Sequence, residues 1–279
     1  LFPELALTGA TCGDLIDQPL LQDAAEEALK KLLDETCESN VVAVVGMPLS
    51  AGNSLLNVAV VIYKGSVLGV VPKTILNGDE KRWFTTLDYF GTDFLTLCNQ
   101  EVLVGSQILF RMGHSTFSIA FSADVQAPKS IADNLALQGA EMLLIPAADN
   151  DVLGRYTYTT QQLTQQSAAL LAAHIYCSSG FGESTTDTVY AGNAFILEKG
   201  KMLAQSERFC MESQLVISEI DVELLRNLRR KSTLFSEACN GFEDKVAVSI
   251  TIPYQAQPDA EFTRTFNPHP FVPQGAKLD

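Results

Sequence analysis

The most constraining feature is a set of short, uninterrupted apolar runs of strand length. Val41-Val-Ala-Val-Val-Gly46 is almost wholly β-branched. A strand with one wet face alternates polar and apolar residues, so a continuous run implies cover on both faces. Leu56 to Tyr63 and Val67 to Val71 repeat the pattern, and Lys64-Gly65-Ser66 between them is a hairpin turn. Further strands are expected at Val102–Arg111, Phe117–Phe121, Met142–Pro146, Ile175–Ser179, Val189–Leu197, Met202–Ala204, Leu215–Ile220 and Val246–Ile250. Residues 19–38 place Leu21, Ala25, Ala28, Leu29 and Leu32 at helical spacing, and Asn40 ends that helix. Helices are also expected over Ile131–Gly139, over Thr160–Ala173 and from the cap Asp221 to Lys231. Strands alternate with helices, yet several successive strands are joined by tight turns. That mixture predicts mixed sheets in a layered α/β sandwich. Leu1 to Gly9 reads as the end of a strand and a turn, so the domain is expected to begin upstream of Leu1. It is expected to occupy residues 1–252, with 253–279, rich in Pro, Asp and Asn, as a tail or linker.

A chain of 279 residues with net charge −14 is a poor partner for nucleic acid or an anionic membrane. No apolar run reaches the roughly 20 residues of a membrane span, and no basic segment or cleavage site marks a signal peptide. The cysteines Cys12, Cys37, Cys98, Cys177, Cys210 and Cys239 form no Cys-x-x-Cys pair and are expected to be reduced thiols of a cytoplasmic protein. His114, His174 and His269 lack ligand spacing, so no metal is expected. His174 is expected in the core or an interface, on an apolar helical stretch, and His269 in solvent. No dinucleotide or P-loop fingerprint occurs, and no cofactor is implied.

Chemistry points to one turn. The strand Phe117 to Phe121 stops at Ser122, and such a turn exposes one side chain beside free backbone N–H groups. Glu4 follows Phe2-Pro3, and Lys73 follows Val70-Val-Pro72. Amide hydrolysis by a covalent route needs a nucleophile, a proton acceptor and a cation for the oxyanion. A buried carboxylate can be the base and a buried lysine the cation. Taken singly, Glu4 reads equally as a turn residue, Lys73 as a surface charge and Ser122 as turn chemistry. A serine normally relies on a histidine base, and none lies near Ser122 in sequence.

Longer stretches resemble the glutaminase domain of glutamine-dependent NAD synthetases, a branch of the nitrilase, or carbon–nitrogen hydrolase, superfamily. They are Phe2-Pro-Glu-Leu-Ala-Leu-Thr-Gly9 with Cys12-Gly-Asp14, Val70-Val-Pro-Lys-Thr74, Arg82-Trp-Phe84, and Gly180-Phe-Gly-Glu-Ser-Thr-Thr-Asp187 with Ala191-Gly192. Ser206-Glu-Arg-Phe209 and Glu219-Ile-Asp221 agree as well. The resemblance implies a four-layer α-β-β-α sandwich with Glu4 as base and Lys73 as oxyanion lysine. It puts Ser122 at the nucleophile's position, where the family has cysteine, and Glu80 in place of the last Glu of a shortened loop. It sets Asp149 and Arg155 against the α-amino and α-carboxyl groups of glutamine or another small amide. It also implies an ammonia-accepting synthetase domain and a homo-oligomer paired through the Thr160–Ala173 helix. No Ser-Gly-Gly-x-Asp-Ser loop occurs, so that synthetase domain is expected outside this sequence. Asn267-Pro-His-Pro-Phe-Val-Pro273 resembles the family's bridge toward it. The departures cluster: Ala120-Phe-Ser-Ala-Asp-Val-Gln126 stands where the family carries Glu-Ile-Cys-Glu-Asp-Leu-Trp, and a substrate-contacting tyrosine is lost from the shortened loop. Three readings remain open: a glutaminase domain, probed as a fragment or altered form; an inactive relative kept for structure or assembly; and a serine amidase.

Overall fold

The computed structural model describes residues 1–87, 93–240, 247–254, 263–265, 268, 269 and 272. After a short 3₁₀ turn the chain forms α1 (Pro19–Glu35), then strands β1 (Ala43–Ala51), β2 (Ser54–Tyr63) and β3 (Ser66–Pro72). β4 (Asp93–Leu97) and β5 (Gln100–Val104) complete a sheet of order β1-β2-β3-β5-β4. β6 (Ile108–Met112), β7 (Ser115–Ile119), α2 (Ser122–Gln126), α3 (Ile131–Leu137), β8 (Met142–Ala147), α4 (Arg155–Ala169), β9 (Ala173–Ser178), β10 (Ala194–Glu198) and β11 (Lys201–Gln205) follow. Two helices, α5 (Val222–Lys231) and α6 (Thr233–Asn240), precede β12 (Val248–Ile252). The second sheet has the order β11-β10-β9-β8-β7-β6-β12.

The apolar runs explain the layering. One face of β2 carries Val58, Val60 and Ile62 against Ala25, Leu29 and Leu33 of α1. The other face sends Ala59, Val61 and Tyr63 into a second core with Phe110, Phe117, Ile119 and Phe121. Both faces are therefore buried, and the two sheets stack through that second core, where Phe110 and Phe117 lie ring to ring at 5.1 Å. On the far side, α3 and α4 cover the seven-stranded sheet through Ile131, Leu135, Leu163, Leu143 and Phe195. The result is the expected four-layer α-β-β-α sandwich with mixed sheets. Pairing is antiparallel at the hairpins and parallel for β7–β8 and β8–β9, where helices form the crossovers. No helix of the described residues is long and apolar enough to cross a membrane.

Several elements differ from expectation for local reasons. The single strand expected at Val102–Arg111 breaks at Gly105-Ser106-Gln107, and its halves enter different sheets. The helix ends at Ala169, not Ala173, because Leu171 turns left-handed (φ 47°) and sends the chain back into the sheet. His174 thus sits on a strand, fully buried as expected. The same helix begins five residues early, at Arg155, directly after left-handed Gly154 (φ 83°). Leu215–Ile220 joins neither sheet. It runs extended along the surface with Leu215 and Ile217 in solvent. The last strand lies two residues later than expected, and Val246 falls outside the described residues. Asp221 caps α5 as expected, accepting the Leu224 N–H at 2.8 Å. The tail does not simply leave the body: Arg264 clamps buried Glu198, and Glu219 accepts the N–H groups of Thr263 and Arg264. Of the bridge motif, Asn267, Pro270, Phe271 and Pro273 lie outside the described residues, and His269 is exposed. All six cysteines are unpaired.

Candidate active site

The central strands β7 and β8 end side by side, and the chain turns outward from their carboxyl ends. This is where open α/β sheets hold ligands. Glu4 arrives from the N-terminal segment, which is bonded to both sheets. Phe2 N–H reaches Val44 O at 2.9 Å, and Glu4 N–H reaches Ala147 O at 3.2 Å. The close passage needs Gly46: a Cβ there would lie 2.4 Å from Leu5 N and 2.6 Å from Pro3 O. The next residue, buried Leu5, holds a left-handed φ of 54°, so the backbone is strained directly beside Glu4.

Lys73, at the end of β3, bridges two carboxylates. Its Nζ is 2.7 Å from Glu4 Oε1 and 2.6 Å from Glu80 Oε1. Asn57 on β2 is the hub. Its carbonyl accepts the Lys73 N–H at 2.9 Å, and its Nδ2 donates to Glu4 Oε1 at 2.5 Å. Burial pushes the Glu4 carboxyl up and the Lys73 ammonium pulls it back, leaving it at about 7. Burial also opposes the Lys73 charge, but Glu4 and Glu80 outweigh it and hold the ammonium above its usual range. Glu80 is partly buried, yet Lys73 and the Asn77 N–H keep its carboxyl below the usual range. The trio thus pairs a carboxyl poised near neutrality with a permanently charged lysine, which suits a base and an oxyanion donor.

Ser122 belongs to a second cluster. At the N-terminus of α2 it is 2% exposed, and its hydroxyl donates to Asp149 Oδ2 at 2.5 Å. Gln126 Nε2 donates to Ser122 Oγ at 2.6 Å and reaches the same Asp149 oxygen at 3.3 Å. Tyr176 OH donates to that oxygen at 2.9 Å, and Arg155 faces the other at 3.6 Å. Burial raises the Tyr176 phenol well above its usual range, so it stays a donor. Asp124, two residues along, ties the two clusters mechanically by accepting from Thr74 N–H, Thr74 Oγ1 and Ile75 N–H.

A cavity of about 620 Å³ opens over both clusters. Glu4, Glu80, Asp149 and Arg155 line it, whereas Lys73 and Ser122 lie beneath its surface. Its other walls bring the quoted motifs together. Asp14 accepts from Arg82 Nη2 at 2.7 Å and from Trp83 Nε1 at 2.9 Å. Glu183 accepts from Ala10 N–H and Thr11 Oγ1, both at 3.0 Å. Of the six residues singled out in the sequence, then, Glu4, Lys73 and Glu80 meet in one group and Ser122, Asp149 and Arg155 in another. Sequence reasoning missed Asn57 and Tyr176. Asn57 carried a signal, being the one polar side chain in an apolar strand; Tyr176 carried none.

A four-layer sandwich with a buried Glu–Lys–Glu group at its strand ends defines a carbon–nitrogen hydrolase architecture. The chain belongs to the carbon–nitrogen hydrolase family, whose profile matches residues 1–230. It is 32% identical over 284 aligned residues to the glutamine-dependent NAD(+) synthetase of Mycobacterium tuberculosis, with 98% of this chain and 42% of that protein covered. Among solved structures it resembles a glutamine-dependent NAD(+) synthetase from Cytophaga hutchinsonii, with a TM-score of 0.68, 20% identity and coverage of 77% of this chain and 35% of that one. It also resembles a carbon–nitrogen hydrolase from Helicobacter pylori G27, with a TM-score of 0.64, 19% identity and coverage of 84% and 80%. The chain therefore spans less than half the length of the curated synthetases it matches.

Proposed function

We propose that this chain is a glutaminase-type domain, related to those that supply ammonia for NAD synthesis, in which glutamine hydrolysis is strongly impaired. The single observation that carries the reading is the division of the site. The base and its lysine stand ready, while the nucleophile's position holds a hydroxyl already bound to Asp149. In this reading Glu4 is the base, Lys73 the oxyanion cation, Glu80 its second anchor, and Asp149 with Arg155 the contacts for the α-amino and α-carboxyl groups of a glutamine-like amide. An alcohol offered to a carboxylate base is poorly matched in pKa, and no histidine lines the cavity. The implied partners are a synthetase domain beyond this sequence and a second copy of the chain, in a cytoplasmic setting. Residues 1–252 would form the hydrolase unit and 253–279 the connection.

The second reading, an inactive relative kept for assembly, draws on the same capture of Ser122. Half of the Gln-rich face of α4 remains available for pairing. Gln162 and Gln166 are spent on Gln126, Ser130 and Asp133, while Gln161 and Gln165 are exposed.

The test is ammonia release from glutamine by this chain, alone and mixed with a synthetase. The expected rate lies several orders of magnitude below that of a cysteine-bearing relative, since loss of a nucleophile in a comparable hydrolase costs on the order of 10⁶ in kcat. Robust turnover by the unaltered chain would establish the serine amidase instead.

A further inference from the structure

Away from the hydrolase cavity, near the β12 edge of the seven-stranded sheet, lies a depression of about 300 Å³ on the helix-facing side. Leu109 and Arg111 of β6 and Thr116 of β7 line it. Arg111 and Thr116 are directly opposed in the ladder, so both side chains rise from one face. The Gly113-His114 turn, Gln138 and Gly139 after α3 and Arg226 of α5 make the remaining walls. In a chain of net charge −14, no aspartate or glutamate among the described residues lines this depression.

Its donors are unspent. The Arg111 guanidinium, the His114 imidazole and the Thr116 hydroxyl make no hydrogen bond or ion pair among the described residues. Arg226, by contrast, is fixed. Buried Glu141 holds its Nε and Nη2, and the His114 carbonyl accepts from Nη2 as well. Glu141 also accepts the Thr116 N–H at 2.9 Å, so one buried carboxylate locks the arginine against the strand that carries the other donors. Arg226 Nη1 is left without a partner among the described residues.

We propose that this depression binds a tetrahedral oxyanion, a phosphate group either free or on a small metabolite. Two guanidinium groups, a hydroxyl and an imidazole offer donors from separate directions. They suit a group whose oxygens project tetrahedrally better than a planar carboxylate with only two. The space exceeds one phosphate and leaves room for a small organic remainder. The competing account is a solvated sheet end, where Arg111 is an ordinary surface charge. It predicts no saturable binding.

The experiment is a ¹H–¹⁵N NMR titration of the whole chain with inorganic phosphate and, separately, glycerol 3-phosphate. Chloride holds the ionic strength constant. The expected result is saturable shifts at residues 111–116 and 226 that chloride alone does not produce. Arg111→Ala should weaken binding at least about tenfold, because a charge-assisted fork is lost, and Arg111→Lys should recover only part of it. Tighter binding of the ester than of phosphate assigns the site to a metabolite, and the reverse assigns it to the free ion. Shifts that never saturate, or equal affinity in Arg111→Ala with a spectrum otherwise unchanged, overturn the proposal. Arg111 is exposed on its strand, so its replacement leaves the core intact.

Discussion

Restoring the family's thiol by Ser122→Cys is the obvious rescue, and the geometry says it fails on its own. The new sulfur would point at Asp149 Oδ2, which lies 2.5 Å from Ser122 Oγ, and its larger radius would widen that gap. A thiol can donate there, but a thiolate cannot form without facing the carboxylate. At about 4 Å two like charges repel by about 1 kcal/mol in water and about 4 kcal/mol at an effective dielectric of about 20. Asp149 is mostly buried, so the second figure is the better guide. Dividing by about 1.4 kcal/mol per unit raises a thiol from about 8.5 by roughly 3 units, before Arg155 offsets a part. The thiolate fraction near neutral pH then falls by about a thousandfold, and with it the rate of nucleophilic attack. The assay is the pH dependence of iodoacetamide alkylation, which reads the thiol directly and needs no glutamine site. Ser122→Cys should titrate well above the usual cysteine range, and Ser122→Cys with Asp149→Asn should return toward it. Ammonia release and labelling by a glutamine-like alkylating analogue should stay near background in the single variant. An ordinary thiol pKa in the single variant, or one that Asp149→Asn leaves unchanged, refutes the reasoning.

Three further outcomes are expected. Lys73→Met leaves Glu4 and Glu80 buried together without their cation, and urea unfolding should show a loss of about 3–5 kcal/mol. His174 is fully buried, and burial pushes its pKa down to about 4 against a weaker opposing contact with the Ala172 backbone. The unfolded chain takes up that proton first, so this contribution is whole above pH ~6.5 and fades as pH falls toward ~4. His174→Leu should lose about 3 kcal/mol less than wild type across that window, and parallel pH slopes for the two would show that His174 does not titrate in this way. Light scattering at tens of micromolar should give a dimer or larger species, with a monomer counting against pairing through α4.

The layers were legible because apolar runs are long-range statements: a strand without a polar face must be covered twice. Tight turns were equally legible, since Lys64-Gly65 takes left-handed angles at both positions, as a two-residue hairpin requires. What escaped was the tertiary use of similar strings. Val102–Arg111 reads as one strand only if Gly105 is passed over as an interior glycine; the Gly105-Ser106-Gln107 break was signalled there, but not that the chain changes layers. Leu215–Ile220 has strand composition but no neighbouring ladder edge to join. At the site, Glu4 and Lys73 could be marked from their motifs, whereas the Asp149–Ser122 bond joins positions 27 apart and depends on how β7 and β8 align.

The intact Glu4–Lys73–Glu80 group is by itself weak evidence for catalysis. Two carboxylates on one buried ammonium also fasten the distant N-terminal turn to the end of β3 and the loop after it. Breaking that arrangement would leave an uncompensated buried charge whether or not chemistry occurs above it. Fold stability alone can therefore account for its presence, with or without turnover at the site. Asp149 is different, because stability does not call for a serine hydroxyl, a glutamine amide and a phenol on one of its oxygens. Those donors satisfy the carboxylate internally and place an anion where a thiolate would have to form. A working cysteine hydrolase would be penalised by that arrangement, whereas a serine at the same place is held by it. The second cluster, more than the first, is where this chain's activity is decided.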